Sequence, residues 1–222
     1  MQIQNGNALL LYPSGAFQVS KGHAVFTPLL FDRFLTDRSA GAINGTAAEP
    51  GGSDAPNRVV SDTGNKATIA DDVFRVASGG STNTPNLTYN KSYARAAGVV
   101  VAAKCYVGQS TSLGGQLFGW SSTSNGTTYT HRFYLEGQNL MVLNNGTGNY
   151  PCIVGKVSID APVYLAVVLR ATGAFFFAFG GKEFGKMTLL RVHRALTTTP
   201  LYPAWTHYST MTGQGVTDML VP

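Results

Sequence analysis

Apolar and polar positions alternate with period two through most of the chain, and the alternation is densest between Ala161 and Pro203. Val163, Leu165, Val167 and Leu169 occupy one face of a run whose other face carries Tyr164, Ala166, Val168 and Arg170. Both faces are largely apolar, which predicts a buried strand. Ala171-Thr172-Gly173-Ala174 supplies a turn, and the following stretch from Phe175 to Phe179 sets Phe175, Phe177 and Phe179 on one face, assigned to the core. Gly180-Gly181 ends this hairpin and Met187 to Val192 resumes as a third strand, so the segment reads as an antiparallel meander anchoring a sheet.

Shorter runs of the same kind fill the rest. Val59-Val60, Ala67 to Ile69 and Val73 to Ala77 are separated by the turn signals Asp62-Thr63-Gly64-Asn65 and Asp71-Asp72. Strands follow at Asn86 to Tyr89, Gly98 to Val107, Gly115 to Trp120, Thr128 to Glu136, Leu140 to Leu143 and Cys152 to Val157. Such strands recur about every ten residues with no helix between them, which predicts an all-β, double-layer antiparallel sandwich. Leu35 to Pro56, rich in Gly, Ala and Ser, reads as a long loop. Met1 to Leu30 stands apart: its short strands hold Leu9, Leu10, Leu11, Phe17, Val25 and Phe26 but too few residues to close a core. The expected division is therefore a docking arm over 1–30 and a sandwich over 31–222, with the arm covered by other proteins of an assembly or by copies of the same chain.

Composition agrees with a large folded core. Of 222 residues 44% are hydrophobic and 12% charged, so disorder is excluded. The net charge of +5 reflects scarce acids, and the bases are scattered without a patch, so nucleic acid is not expected as a partner. No apolar run is long enough to span a membrane, and the N-terminus reads as lacking a signal peptide. Cys105 and Cys152 lie in apolar strand-like segments, where buried free thiols are favoured over a disulfide.

The order Phe31-Asp32-Arg33-Phe34, Ile69-Ala70-Asp71-Asp72-Val73-Phe74, Tyr164 to Ala174, Leu189-Leu190-Arg191-Val192 and Leu201-Tyr202-Pro203-Ala204 resembles the concanavalin A-like (LamG-type) jelly-roll modules of bacteriophage structural proteins and of large surface proteins of environmental bacteria. The resemblance covers about Phe31 to Pro222. It implies two curved sheets packed face to face, with loops and the concave face open to ligands. It further implies a virion component, such as a capsid decoration or tail protein, that docks through its arm, assembles as a homo-oligomer on the particle surface and displays a lectin-like sandwich toward host surface glycans. A free carbohydrate-binding module is the alternative, and a glycan-active enzyme a third reading. Related modules hold a structural calcium with acids near the two ends of the fold, which points to Asp32 and Asp218; capping of turns or pairing with Arg33 or Arg38 is the competing assignment.

Candidate chemistry narrows this further. Glycanases of the same class carry two carboxylates two to four residues apart on one strand, and no acid pair here has that spacing, so no catalytic residue is assigned and no enzyme is expected. Gly180 to Met187 nearly spells a phosphate loop, but Met187 replaces the required hydroxyl and a strand follows. His23, His131, His193 and His207 show no metal-ligand spacing. Five glycosylation sequons, Asn44-Gly45-Thr46 among them, read as turn chemistry. The glycan-binding candidates are Trp120, Tyr129, Trp205, His207 and Tyr208, aromatic or amphipathic side chains at strand ends beside polar residues. For the tryptophans, core packing is the competing reading.

Overall fold

A computed structural model describes residues 2–3, 7–11, 17–20, 29–50, 55–76, 85–95, 98–106, 109–110, 115–136, 138–143, 152–158, 161–194, 199–206, 211–212 and 215–221. The strands are, in chain order, β1 (Gln2–Ile3), β2 (Asn7–Leu11), β3 (Phe17–Ser20), β4 (Leu30–Asp32), β5 (Arg58–Ser61), β6 (Ala67–Ala70), β7 (Val73–Val76), β8 (Asn86–Tyr89), β9 (Val100–Tyr106), β10 (Gln109–Ser110), β11 (Gly115–Ser121), β12 (Tyr129–Glu136), β13 (Asn139–Leu143), β14 (Cys152–Lys156), β15 (Val163–Arg170), β16 (Gly173–Gly180), β17 (Phe184–Arg194), β18 (Tyr202–Thr206), β19 (Met211–Thr212) and β20 (Gly215–Val221). One sheet has seven strands in the order β14-β13-β12-β11-β18-β8-β5, and the other eight, β17-β16-β15-β9-β20-β7-β6 with β4 also on β20. The expected all-β sandwich is therefore observed.

The layers meet through interlocked side chains. The Trp120 indole N–H on β11 donates to the Val167 carbonyl on β15 in the opposite sheet at 3.0 Å. Phe133 meets Phe176 edge-on at 5.3 Å, and Phe74 meets Trp205 at the same separation, so rings from both sheets interdigitate in one core. Gly119 makes the close β11–β12 approach there: its φ of 149° is open to glycine, and a Cβ would fall 2.2 Å from the His131 carbonyl.

The meander β15-β16-β17 has its expected order, and Val163, Leu165, Val167 and Leu169 are buried. The aromatic face, however, is reversed. Phe176 is buried between the sheets while Phe175, Phe177 and Phe179 are half-buried on the outer side. Register explains this, because antiparallel partners share a face: inward Val167 pairs with Phe176, and inward Leu165 and Leu169 pair with Ala178 and Ala174. Asp71 and Asp72 form the β6–β7 turn with φ of 52° and 59°, left-handed values that aspartate tolerates.

Leu9, Leu10 and Leu11 fall on β2 and Phe17 on β3, and β1, β2 and β3 pair with one another as a separate sheet. Val25 and Phe26 lie outside the described residues. Leu30 is part of the sandwich, since it pairs with Val221 and is buried.

Candidate glycan site

The longest loop of the sandwich is fastened by a buried ion network. Asp32, at the end of β4, has no exposed side-chain surface, and neither has Arg58 at the start of β5. Asp32 Oδ1 accepts from Arg58 Nη2 at 2.6 Å and from the backbone N–H groups of Phe34 (3.1 Å) and Glu49 (3.2 Å), while Oδ2 accepts from Arg58 Nε at 2.7 Å and the Tyr89 hydroxyl at 2.9 Å. Arg58 also donates to Thr46 Oγ1 at 2.9 Å and to Glu49 Oε2 at 3.2 Å. Glu49 in turn accepts from the Thr36 N–H at 3.0 Å and from Arg38 Nη2 at 3.1 Å. A guanidinium fork gripping a carboxylate side-on, with every remaining lone pair used, is the geometry in which a buried pair offsets its desolvation. Phe34 is held at a left-handed φ of 56° beneath the Arg58 guanidinium, which lies 5.2 Å from its ring centre. Burial pushes the Glu49 carboxyl up, but hydrogen bonds from Thr36 and Arg58 and the Arg58 charge outweigh this and hold it at about 2.

With the loop fixed, residues 41–44 lie against β5 and the β5–β6 connection. They enclose a cavity of about 240 Å³ lined by Gly41, Ile43, Asn44, Val60, Asp62, Asn65 and Ala67. β5 and β6 are the last strands of the two sheets, so the cavity lies where the chain crosses the open edge of the sandwich. Asn44 Oδ1 accepts the Val60 N–H at 3.0 Å, which fixes the amide with its NH₂ end as the donor. Asp62 Oδ2 accepts the N–H groups of Lys66 and Ala67, each at 2.6 Å, so the carboxylate organises the turn that carries Asn65. Asn65 is exposed, at a φ of 49°. Ile43 and Ala67 are buried beneath the cavity, so its open lining is mainly polar: one carboxylate and two amides, a donor and acceptor set suited to a small ligand bearing several hydroxyls.

The sequence-based candidates are placed elsewhere. Trp120 and Trp205 are fully buried, packed between the sheets against Tyr93 and Phe74, so neither ring is open to stack on a sugar; that assignment is corrected to core packing. Tyr129 opens β12, and His207 and Tyr208 lie outside the described residues. Asp32 and Asp218 do come onto adjacent strands, through the Asp32 to Met219 pairing, but they do not make a calcium site. Asp32 is saturated by Arg58, Tyr89 and two backbone donors, whereas Asp218 faces Arg33 at 3.6 Å. Among the described residues no group of three or more His, Cys, Asp or Glu could hold a metal. Both cysteines are free thiols; Cys105 is buried as expected, which pushes its thiol far up, whereas Cys152 is only half-buried.

No family model matches the chain, and no curated protein matches it in sequence. Solved structures do match in fold. The exoplasmic/lumenal domain of VIP36 in its Ca²⁺/Man-bound form aligns with a TM-score of 0.58 at 10% identity, covering 86% of this chain and 91% of that one. The carbohydrate recognition domain of Emp46p, potassium-bound, gives 0.52 at 10%, covering 74% and 87%. Trypanosoma rangeli sialidase gives 0.56 at 14%, covering 96% of this chain but 32% of the sialidase. The fold is thus the concanavalin A-like, lectin-type jelly-roll sandwich.

Proposed function

We propose that this chain is a non-catalytic carbohydrate-binding module whose site is the edge cavity between residues 41–44 and the β5–β6 connection. The observation that carries the reading is the cavity's chemistry: Asp62, Asn44 and Asn65 line one small, mainly polar cavity, on a scaffold that a buried ion network helps to hold in place. The fold adds weight, since VIP36 and Emp46p, two proteins of this architecture, carry a mannose-bound form and a carbohydrate recognition domain respectively. The acids support binding without hydrolysis, because among the described residues Asp62 is the one carboxylate lining the cavity and glycoside cleavage takes two flanking the bond. None of the three neighbours is a virion protein, so the particle role implied by the phage resemblance gains nothing from them.

A glycan array probed with the intact protein tests the proposal. Asn65→Gly removes one amide while tolerating the left-handed backbone, so the variant folds as the parent does. We expect the parent to bind a restricted set of glycans without releasing reducing ends, and the variant to bind them about tenfold or more weakly. Undiminished binding by Asn65→Gly would remove the cavity from the account.

A further inference from the structure

Arg95 is a second place where the chemistry of the fold is left incomplete. This residue follows β8, on the short segment whose Tyr93 bridges to Leu201, and it retains 4% of its surface. Its Nη1 lies 2.8 Å from His131 Nε2. Guanidinium is always a donor, so His131 accepts at Nε2 and carries its own proton on Nδ1. Burial, then the charge of Arg95 and the proximity of His193, lower His131 to about 3, consistent with a neutral ring. The remaining polar edge of Arg95, Nε and Nη2, is buried without any hydrogen-bond partner, and so are the Nδ1 atoms of His131 and His193. His193, with 8% of its surface exposed, faces His131 at 6.5 Å between ring centres.

The contrast with Arg58 is informative. That guanidinium, also buried, is matched by Asp32 and Glu49, whereas no ion pair among the described residues involves Arg95. A buried cation with no counter-charge is costly, because its lost hydration is not replaced. Nε and Nη2 are the two donors that lie side by side along one edge of the guanidinium, at the spacing of the two oxygens of a carboxylate. This is the edge that Asp32 occupies on Arg58, with Nε at 2.7 Å and Nη2 at 2.6 Å.

We propose that Arg95, held at its Nη1 by His131, is a binding site for a single carboxylate supplied by a ligand. One negative charge neutralises the one buried cation, and a dianion such as phosphate would leave an excess charge in the same place. The carboxylate comes either from a small free acid or from an acidic sugar, and the site is separate from the edge cavity proposed for glycans.

Calorimetry and thermal unfolding at neutral pH and constant ionic strength test this on the intact protein. Acetate, glucuronate and neutral methyl glucoside are compared against chloride. Saturable binding of acetate supports the proposal with a free acid as the source, and binding of glucuronate without acetate supports it with an acidic sugar. Arg95→Gln, and Arg95→Lys, which keeps charge but loses the fork, should each weaken that binding about tenfold or more, and Asn65→Gly should leave it unchanged. If Arg95→Gln fails to fold, the Arg95 Nε–H resonance of the ¹⁵N-labelled parent serves instead and should shift downfield on titration with the acid that binds. Carboxylates indistinguishable from chloride, an unmoved Arg95 resonance, or glucuronate binding that survives Arg95→Gln and fails in Asn65→Gly would each overturn the proposal.

Discussion

Removing Asp32 tests how the loop that forms the cavity is held. Asp32→Ala deletes both oxygens at the centre of the network, which strips Arg58 of its two shortest bonds and leaves the Tyr89 hydroxyl and the Phe34 and Glu49 N–H groups without this acceptor. Arg58 keeps Thr46 and Glu49, so its charge is only partly matched in a fully buried position. Breaking a buried pair on one side costs about 3–5 kcal/mol. At about 2–4 °C per kcal/mol for a domain of this size, the melting temperature should fall by roughly 6–20 °C. Asp32→Leu combined with Arg58→Met removes both charges and should recover part of that loss, since an apolar replacement carries no stranded ion. Calorimetric melts of the parent, the single variant and the double variant decide the matter. A single-variant loss below about 1 kcal/mol, the range of exposed ion pairs, would refute the network as the clamp on residues 33–50. So would a double variant no more stable than the single.

Phe176→Ala should destabilise by about 3–5 kcal/mol and Phe177→Ala by about 1–2 kcal/mol, because one ring is buried and the other half-buried; equal losses in denaturant melts would contradict the β15–β16 register. Stability should fall in acid in two stages. His131 is held at about 3 against an ordinary 6.5, so the unfolded chain takes up this proton first and stability erodes as pH drops below 6.5. Glu49, held at about 2 against 4.5, adds its loss below 4.5, and a flat pH profile from 7 to 3 would oppose both assignments. A truncated chain starting at Leu29 keeps the Leu30 to Val221 pairing and should retain its β-sheet circular dichroism while losing any oligomeric state seen by light scattering for the full chain; unchanged scattering would dismiss residues 1–28 as an assembly arm.

Much of the fold was legible because period-two alternation survives wherever one face is buried. Most strands between Val59 and Val192, and the Asp71-Asp72 turn, were visible in this way, whereas the two-residue β10 was too short to show an alternation and the start of β17, Phe184 to Lys186, was hidden behind Gly185. β20 was not: every residue from Gly215 to Val221 is buried, and Asp218 at a φ of 51° breaks the register, so no alternation marks it as the strand that links β9, β7 and β4. The reversed aromatic face was recoverable in principle. An antiparallel hairpin closed by an even number of residues pairs inward Leu169 with an even-numbered partner, and this parity places Phe176 inward whatever the exact turn; the weight of three phenylalanines obscured it. The cavity could not be read from sequence. Asn44 looked like part of a sequon and Asp62 and Asn65 like turn residues, which they are, and their loops are brought together by contacts that no local pattern announces: the Asp32 to Arg58 pair across 26 positions, the backbone bonds of Gly45 and Thr46 with Arg58, and the Asn44 to Val60 bond. The tryptophans misled for a related reason, since polar neighbours at a strand end do not reveal which way the strand points.

The most direct test of glycan binding at the sandwich edge is a ¹H–¹⁵N correlation titration of the labelled protein with the strongest glycan found on the array. The account predicts saturable shifts concentrated at Gly41, Asn44, Asp62 and Asn65, with the core resonances of Trp120 and Trp205 unmoved. Shifts that saturate at another surface while these four residues stay still would contradict it.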